Sequence, residues 1–158
     1  MAAELLIGDV SVGQDVPVLE KDVKPVTVVL GAMASRDWRP QHHDYMFATH
    51  NNGVQDIFMN TPNLAAWFER YLTDWTGPKG RIGRIKFRMK DSVFPGDTMH
   101  FAGKVTGIEA ATDDISWVDV AIELTAGEKS CVSCEARIAV PQTADANPWK
   151  LKGEGWKP

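Results

Sequence analysis

Apolar and polar positions repeat with two different periods along this chain, and the switch between them divides it. Leu64, Trp67, Phe68, Tyr71, Leu72 and Trp75 fall at i, i+3, i+4, i+7, i+8 and i+11. That spacing lays one broad, aromatic-rich stripe along a helix. Thr61 fits the N-cap, Pro62 the first helical position, and Gly77-Pro78 the stop. The pattern predicts a helix over about residues 61–76, so apolar that it must lie on a large buried surface. After Pro78 the period becomes two. Ile85, Phe87 and Met89 alternate with Arg84, Lys86, Arg88 and Lys90, a half-buried strand. Pro95-Gly96-Asp97 reads as a turn. Strands are then predicted at Thr98–Ile108, Ile115–Leu124 and Lys129–Val140, with turns at residues 112–114 and 126–128.

Upstream, Val18–Val23 reads as a short strand. The run Thr27–Ala34 fits strand or helix by period; Thr27 as a cap and the small residues after it favour a short helix. Residues 1–16, with Gly8 and Gly13, read as an N-terminal arm. Residues 17–141 form one domain. Residues 142–158, with Trp149 and Trp156 among polar neighbours, form a tail that packs along the surface or on a neighbour. No repeat or low-complexity tract interrupts this order. A lead-in strand, short helices, one long apolar helix and four antiparallel strands predict an α+β fold, a sheet wrapped around one helix.

Composition narrows the partners. The chain has 158 residues, 44% hydrophobic and 24% charged, enough for one ordinary core. A net charge of -4 and a pI near 5.5 argue against nucleic acid as partner. No apolar run reaches the length of a membrane span. The segment Met1-Ala-Ala-Glu-Leu-Leu-Ile lacks the basic region of a secretory signal, so a cytoplasmic location is expected. Cys131 and Cys134 stand three apart, on opposite faces of a strand and without a second ligand pair, so no metal or redox role is assigned to them.

The segment Ser35-Arg36-Asp37-Trp38-Arg39-Pro40-Gln41-His42 carries the candidate chemistry. Pro40 fixes its own φ and keeps Arg39 out of the helical region, so the stretch bends and brings Asp37 and His42 toward one point. A carboxylate and an imidazole aimed at one water are the minimum for acid–base chemistry near neutral pH. The competing reading, a capping Asp and a surface His, is common for any such pair. His43, His50 and Asp44 add metal-ligand types nearby, yet no helical H-x-x-x-H pair supports a metal site, and none is assigned. His100, on a strand, reads as structural.

This constellation resembles the MaoC-like acyl dehydratases, the (R)-specific enoyl-CoA hydratase group of hot-dog proteins. Asp37 and His42 stand five apart around Arg39-Pro40, as in the hydratase motif. Ile57-Phe58-Met59-Asn60-Thr61-Pro62 falls where that family begins its central helix, and Phe94-Pro95-Gly96-Asp97-Thr98 looks like its turn after the second strand. The likeness covers roughly residues 17–141. It implies a hot-dog domain and reversible hydration of a trans-2-enoyl-CoA to a 3-hydroxyacyl-CoA. Asp37 and His42 are the implied catalytic pair. The backbone amides of Asn60 and Thr61 are the implied oxyanion donors, the Asn60 N–H rather than its side chain holding the thioester oxygen. No cofactor beyond the coenzyme A of the substrate is implied. A dimer or higher oligomer of hot-dog units, identical or mixed, is expected.

One departure stands out. The family begins this helix with Ala-His-Gly; here Phe58-Met59-Asn60 takes that place. A backbone N–H survives the change. Related variants act on bulky acyl-CoAs, including steroid side-chain intermediates, which extends the expected substrates to such groups. Arg84, Lys86 and Arg88 share one strand face in an acidic protein and read either as a solvated face or as a site for coenzyme A phosphates. Two other functions fit the same fold. A hot-dog thioesterase would place its carboxylate on the long helix, at Glu69 or Asp74. A catalytically silent acyl-CoA-binding subunit would need no intact pair.

Overall fold

The computed structural model describes residues 4–158. Five antiparallel strands form one sheet: β1 (Asp15–Asp22), β2 (Arg81–Met89), β3 (Thr98–Ala110), β4 (Ile115–Ala126) and β5 (Lys129–Pro141). Their spatial order is β1-β3-β4-β5-β2. Three helices precede β2: α1 (Pro25–Ala34), α2 (Tyr45–His50) and α3 (Thr61–Thr76). This is the α+β hot-dog arrangement, with the sheet curled around α3.

The predicted apolar stripe is the face that α3 buries. Leu64, Phe68, Tyr71 and Leu72 are all buried. The Phe68 ring meets Phe87 of β2 at 5.2 Å and Phe101 of β3 edge-on at 5.0 Å. Such aromatic pairs add to the stability from area burial alone. Tyr71 donates its hydroxyl to the Val16 carbonyl at 3.3 Å, and burial pushes its phenol up to about 12. Gly103 makes room for it: a Cβ there would lie 3.0 Å from the Tyr71 oxygen.

Several boundaries differ from the sequence expectation. β1 begins at Asp15, not Val18, and α1 begins at Pro25. Thr27 is therefore not the cap; its hydroxyl accepts from the Lys24 N–H one turn back. Helix α3 is capped by Asn60, whose Oδ1 accepts from the Asn63 N–H at 3.3 Å, so Thr61 is already helical. Asn and Asp are stronger caps than Thr, which explains the shift by one residue. The short α2 was not expected from periodicity; six residues give too little pattern. Cys131 and Cys134 do not point to opposite faces as the regular strand period predicts. Leu124 pairs Val132 while Thr125 pairs Ser130, so Cys131 is the extra residue of a bulge and both thiols are buried.

The first three residues of the arm lie outside the described residues. The rest of the arm lies on the core, through Leu5, Ile7 and buried Val10. The tail packs on its own chain: Trp156 meets Trp117 at 4.8 Å, joining a second apolar cluster with Ile115, Ala139 and Leu151. Among the described residues, no helix is long and apolar enough to cross a membrane.

Candidate active site

The site is assembled where the end of α1 meets the start of α3. The two helices approach closely at Gly31, where a Cβ would fall 1.8 Å from the Asn63 side-chain amide. That amide instead donates to the Thr27 carbonyl at 3.1 Å. The last turn of α1 then closes with two bonds: the Arg36 N–H to the Met33 carbonyl (3.1 Å) and the Asp37 N–H to the Ala32 carbonyl (2.9 Å). This is the Schellman pattern, which needs a left-handed residue at its centre. Arg36 fills that place with φ 55, a conformation costly to any residue with a Cβ. The strained turn delivers Asp37 to the crease between the helices.

Pro40 opens a single 3-10 turn, Pro40–His42, which carries His42 inward until only 4% of it is exposed. Its Nδ1 lies 2.7 Å from the Phe58 carbonyl. A carbonyl only accepts, so Nδ1 carries the hydrogen, and in the neutral ring Nε2 is the free base. Nε2 faces Asp37 Oδ2 at 3.5 Å. The Phe58 ring stands edge-on to the imidazole at 5.0 Å and leans on Phe94 at 6.2 Å, so the histidine is fixed by both packing and hydrogen bonding.

Asp37 Oδ2 has a second neighbour. Asn60 is 2% exposed, and its Nδ2 donates to Asp37 Oδ2 at 3.0 Å and to Ser35 Oγ at 2.8 Å. Asp37 Oδ1 accepts from the Arg39 N–H at 3.4 Å. The carboxyl is held below the usual aspartate value, first by the Asn60 amide; partial burial opposes this, and the Arg39 N–H and the charges of His42 and Arg39 add to it. The Asn60 and Thr61 N–H groups take no hydrogen-bond partner among the described residues. They stand at the positive end of α3.

The chemistry available here is proton transfer. One carboxylate oxygen and one imidazole nitrogen stand 3.5 Å apart, longer than a good direct hydrogen bond and close enough for both to accept from one water beside them. Free amide donors stand on the adjoining turn. The structure thus brings together Asp37, His42 and Asn60. It also supplies two partners that sequence alone did not indicate, Ser35 and the Phe58 carbonyl, for which no local signal exists.

Other candidates lie elsewhere. Arg84, Lys86 and Arg88 are exposed on the face of β2 opposite Ile85 and Phe87, hence opposite α3 and the dyad. Lys86 approaches Glu135 at 3.9 Å. Glu69 is exposed, and Asp74 pairs with Arg70 at 3.1 Å on the solvent side of α3. Asp44 caps α2, accepting from the Phe47 N–H, and His50 bonds within that helix; His43 is exposed. His100 leaves β3 on the outer face, half-buried. The Cys131 and Cys134 thiols are pushed up by burial, the latter to about 12, so neither is a thiolate near neutral pH.

No family model matches the chain. It is 34% identical over 124 residues to the 3-oxo-4,17-pregnadiene-20-carboxyl-CoA hydratase beta subunit of Mycobacterium tuberculosis, covering 78% of this chain and 93% of that protein. Its fold superposes on a chain of the ChsH1–ChsH2 complex of the same organism with a TM-score of 0.76 and 28% identity, covering 82% of this chain and 98% of that one. This chain belongs to the MaoC-like hydratases and dehydratases. The (R)-hydratase of A. caviae involved in PHA biosynthesis matches with a TM-score of 0.72 and 25% identity over 84% of this chain and 98% of its own. The unliganded R-hydratase PhaJ1 of Pseudomonas aeruginosa shares the fold, with a TM-score of 0.78 and 19% identity over 89% and 88%. Members of this family are hydro-lyases, and the chain is an enzyme of that class.

Proposed function

We propose that this MaoC-like protein adds water reversibly to a trans-2-enoyl-CoA, giving a 3-hydroxyacyl-CoA, with Asp37 and His42 as the acid–base pair. The observation that carries this is the 3.5 Å approach of His42 Nε2 to Asp37 Oδ2 with the imidazole tautomer set from behind by Phe58. A water lying beside the pair and hydrogen-bonded to both loses one proton as its oxygen attacks C3. The pair returns a proton to C2, so atoms and charge balance over the cycle. As electrons move onto the thioester, its oxygen becomes negative. The N–H groups of Asn60 and Thr61 and the positive end of α3 stabilise that charge. Dehydration is the same path reversed. Every step is a proton transfer or an addition, so the proposal asks for no metal or redox cofactor, only the coenzyme A of the substrate.

A bulky, steroid-like acyl group is the proposed substrate class, supported by the name of the Mycobacterium tuberculosis relative. Exposed apolar side chains are close to the dyad in the chain: Trp38, 63% exposed, follows Asp37, and Met33 and Leu30 are exposed on α1, which leads into it. Assembly with a second hot-dog unit is part of the proposal, as the relative is a beta subunit. Nothing favours the thioesterase reading, since Glu69 and Asp74 face solvent away from the dyad. Nor does the intact dyad favour a silent subunit.

The test is to offer the purified chain, alone and with a co-purified partner, both enoyl-CoA and acyl-CoA substrates. Loss of the conjugated enoyl thioester with appearance of the 3-hydroxy product supports the proposal. Release of free thiol without hydration makes it a thioesterase, and binding without turnover makes it silent.

A further inference from the structure

Ser35 closes α1, and its hydroxyl has a single hydrogen to give. That hydrogen goes back into the helix: Oγ lies 2.8 Å from the Gly31 carbonyl and 3.2 Å from that of Ala32. Toward Asn60 the hydroxyl therefore offers only a lone pair, and Asn60 Nδ2 takes it at 2.8 Å.

Asn60 is thereby held at three points. One Nδ2 hydrogen goes to Ser35 Oγ and the other to Asp37 Oδ2 at 3.0 Å, while Oδ1 accepts from the Asn63 N–H at 3.3 Å. Two of these bonds hold whatever the charge on Asp37; the third depends on it. Once Asp37 takes up a proton at Oδ2 it becomes a donor. A freely turning amide would follow that proton by presenting Oδ1, and such a bond to the neutral acid favours protonation. Turned over, however, this amide would set Oδ1 against Ser35 Oγ, whose hydrogen is already committed, and Nδ2 against the Asn63 N–H. Two bonds would be lost at a residue only 2% exposed, where unmade bonds are costly.

We infer that Ser35 is a positioning residue for the acid–base site: its hydroxyl locks the Asn60 amide with Nδ2, and not Oδ1, toward Asp37. The inference rests on the proposed role of Asp37 and deepens it. The charged groups acting on Asp37 are His42 and Arg39, both on the segment that follows it; α3 contributes the neutral Asn60 amide. A change at Ser35 removes none of these, so it reaches Asp37 through the orientation of Asn60. Ser35 itself is exposed, so its replacement leaves the core untouched.

The test is an NMR titration of the Asp37 carboxyl carbon, identified by its loss in Asp37→Asn. It needs no turnover, so the inference can fail while Asp37 remains the acid–base group, and turnover of Asp37→Asn tests that role separately. Ser35→Ala should shift the Asp37 titration to higher pH, in the same direction as Asn60→Ala. Ser35→Thr keeps the hydroxyl and should titrate as wild type. Ser35→Val, shaped like threonine without the hydroxyl, should titrate as Ser35→Ala. The double variant Ser35→Ala, Asn60→Ala should shift no further than Asn60→Ala alone, because Ser35 acts only through that amide. The acidic limb of kcat/KM should move with the titration in each case. An Asp37 titration unmoved in folded Ser35→Ala or Ser35→Val overturns the inference, since water then serves the amide as well as the hydroxyl. A double variant shifted beyond Asn60→Ala also overturns it, because Ser35 would then act on Asp37 by another route.

Discussion

The Asn60 side chain joins Asp37 to the start of α3: its Nδ2 donates to Asp37 Oδ2 at 3.0 Å while its Oδ1 accepts from the Asn63 N–H. One buried amide therefore caps the helix and holds the proposed acid–base carboxylate in its charged form. A family glycine at this position does neither. Sequence reasoning gave the Asn60 side chain no part in the site; the structure gives it three partners.

Replacing it by alanine should act on both functions. Loss of the cap should cost about 1 kcal/mol of stability, read by urea unfolding. Without the amide, the Asp37 pKa rises toward the ordinary aspartate value. Activity that needs the carboxylate ionised then fails sooner as pH falls, so the acidic limb of the kcat/KM profile should move to higher pH. The stability contribution follows the same sign. In the folded wild type the Asp37 pKa is lowered, so its contribution is present above the unfolded value and is lost as pH falls through the folded one. An acidic limb that stays in place would show that the Asn60 amide does not tune Asp37.

The dyad itself should behave as one unit. Asp37→Asn and His42→Ala should each lower kcat for hydration by at least ~10²-fold, and the double variant should be scarcely worse than either. Circular dichroism should show both singles folded. Near-normal turnover in either would remove Asp37 and His42 from the chemistry.

How much of this was legible beforehand depends on the range of the interaction. The α3 stripe and the alternation of β2 are local patterns, and both stand in the fold, with Phe68 and Phe87 meeting as their faces require. Asp37, Pro40 and His42 also carry their message within six residues. The contacts of Asn60 with Ser35 and Asp37 span 25 and 23 residues. No periodicity encodes such a contact; it exists because Gly31 lets α1 and α3 approach. The bulge at Cys131 is invisible for a similar reason, since it depends on pairing with β4. The basic stripe was legible as a stripe, but its face was decided by which side of β2 receives α3.

The left-handed turn before Asp37 is a point of stored strain. Arg36→Gly removes the Cβ that makes φ 55 costly, while both Schellman bonds are backbone bonds and persist. The variant should be more stable by about 1 kcal/mol, with an unchanged denaturant slope. A loss of stability would mean that the Arg36 side chain contributes more than its backbone costs.

The buried cysteines allow an inexpensive check of the sheet. Burial raises both thiols, Cys134 to about 12, so neither supplies appreciable thiolate at mildly alkaline pH. Iodoacetamide should leave the native protein unmodified and label both positions after denaturation, as counted by mass spectrometry. Rapid labelling of the native chain would place one thiol on the outer face and contradict the bulge.

The oxyanion donor can be separated from the side chain at the same residue. Asn60 has φ -81 and ψ 158, close to what proline adopts, and its N–H has no partner within the described residues. Asn60→Pro and Asn60→Ala both abolish the cap and the bond to Asp37, but only proline also deletes the N–H. The informative quantity is therefore their ratio. If this amide holds the thioester oxygen, kcat of the proline variant should lie ~10²–10³-fold below that of the alanine variant, the scale for one oxyanion-hole donor. Proline also restricts Met59, the residue before it, to extended backbone. Preserved near-ultraviolet circular dichroism is accordingly part of the measurement. Equal kcat in two folded variants would move the donor away from Asn60, with the Thr61 N–H next in line on the same turn.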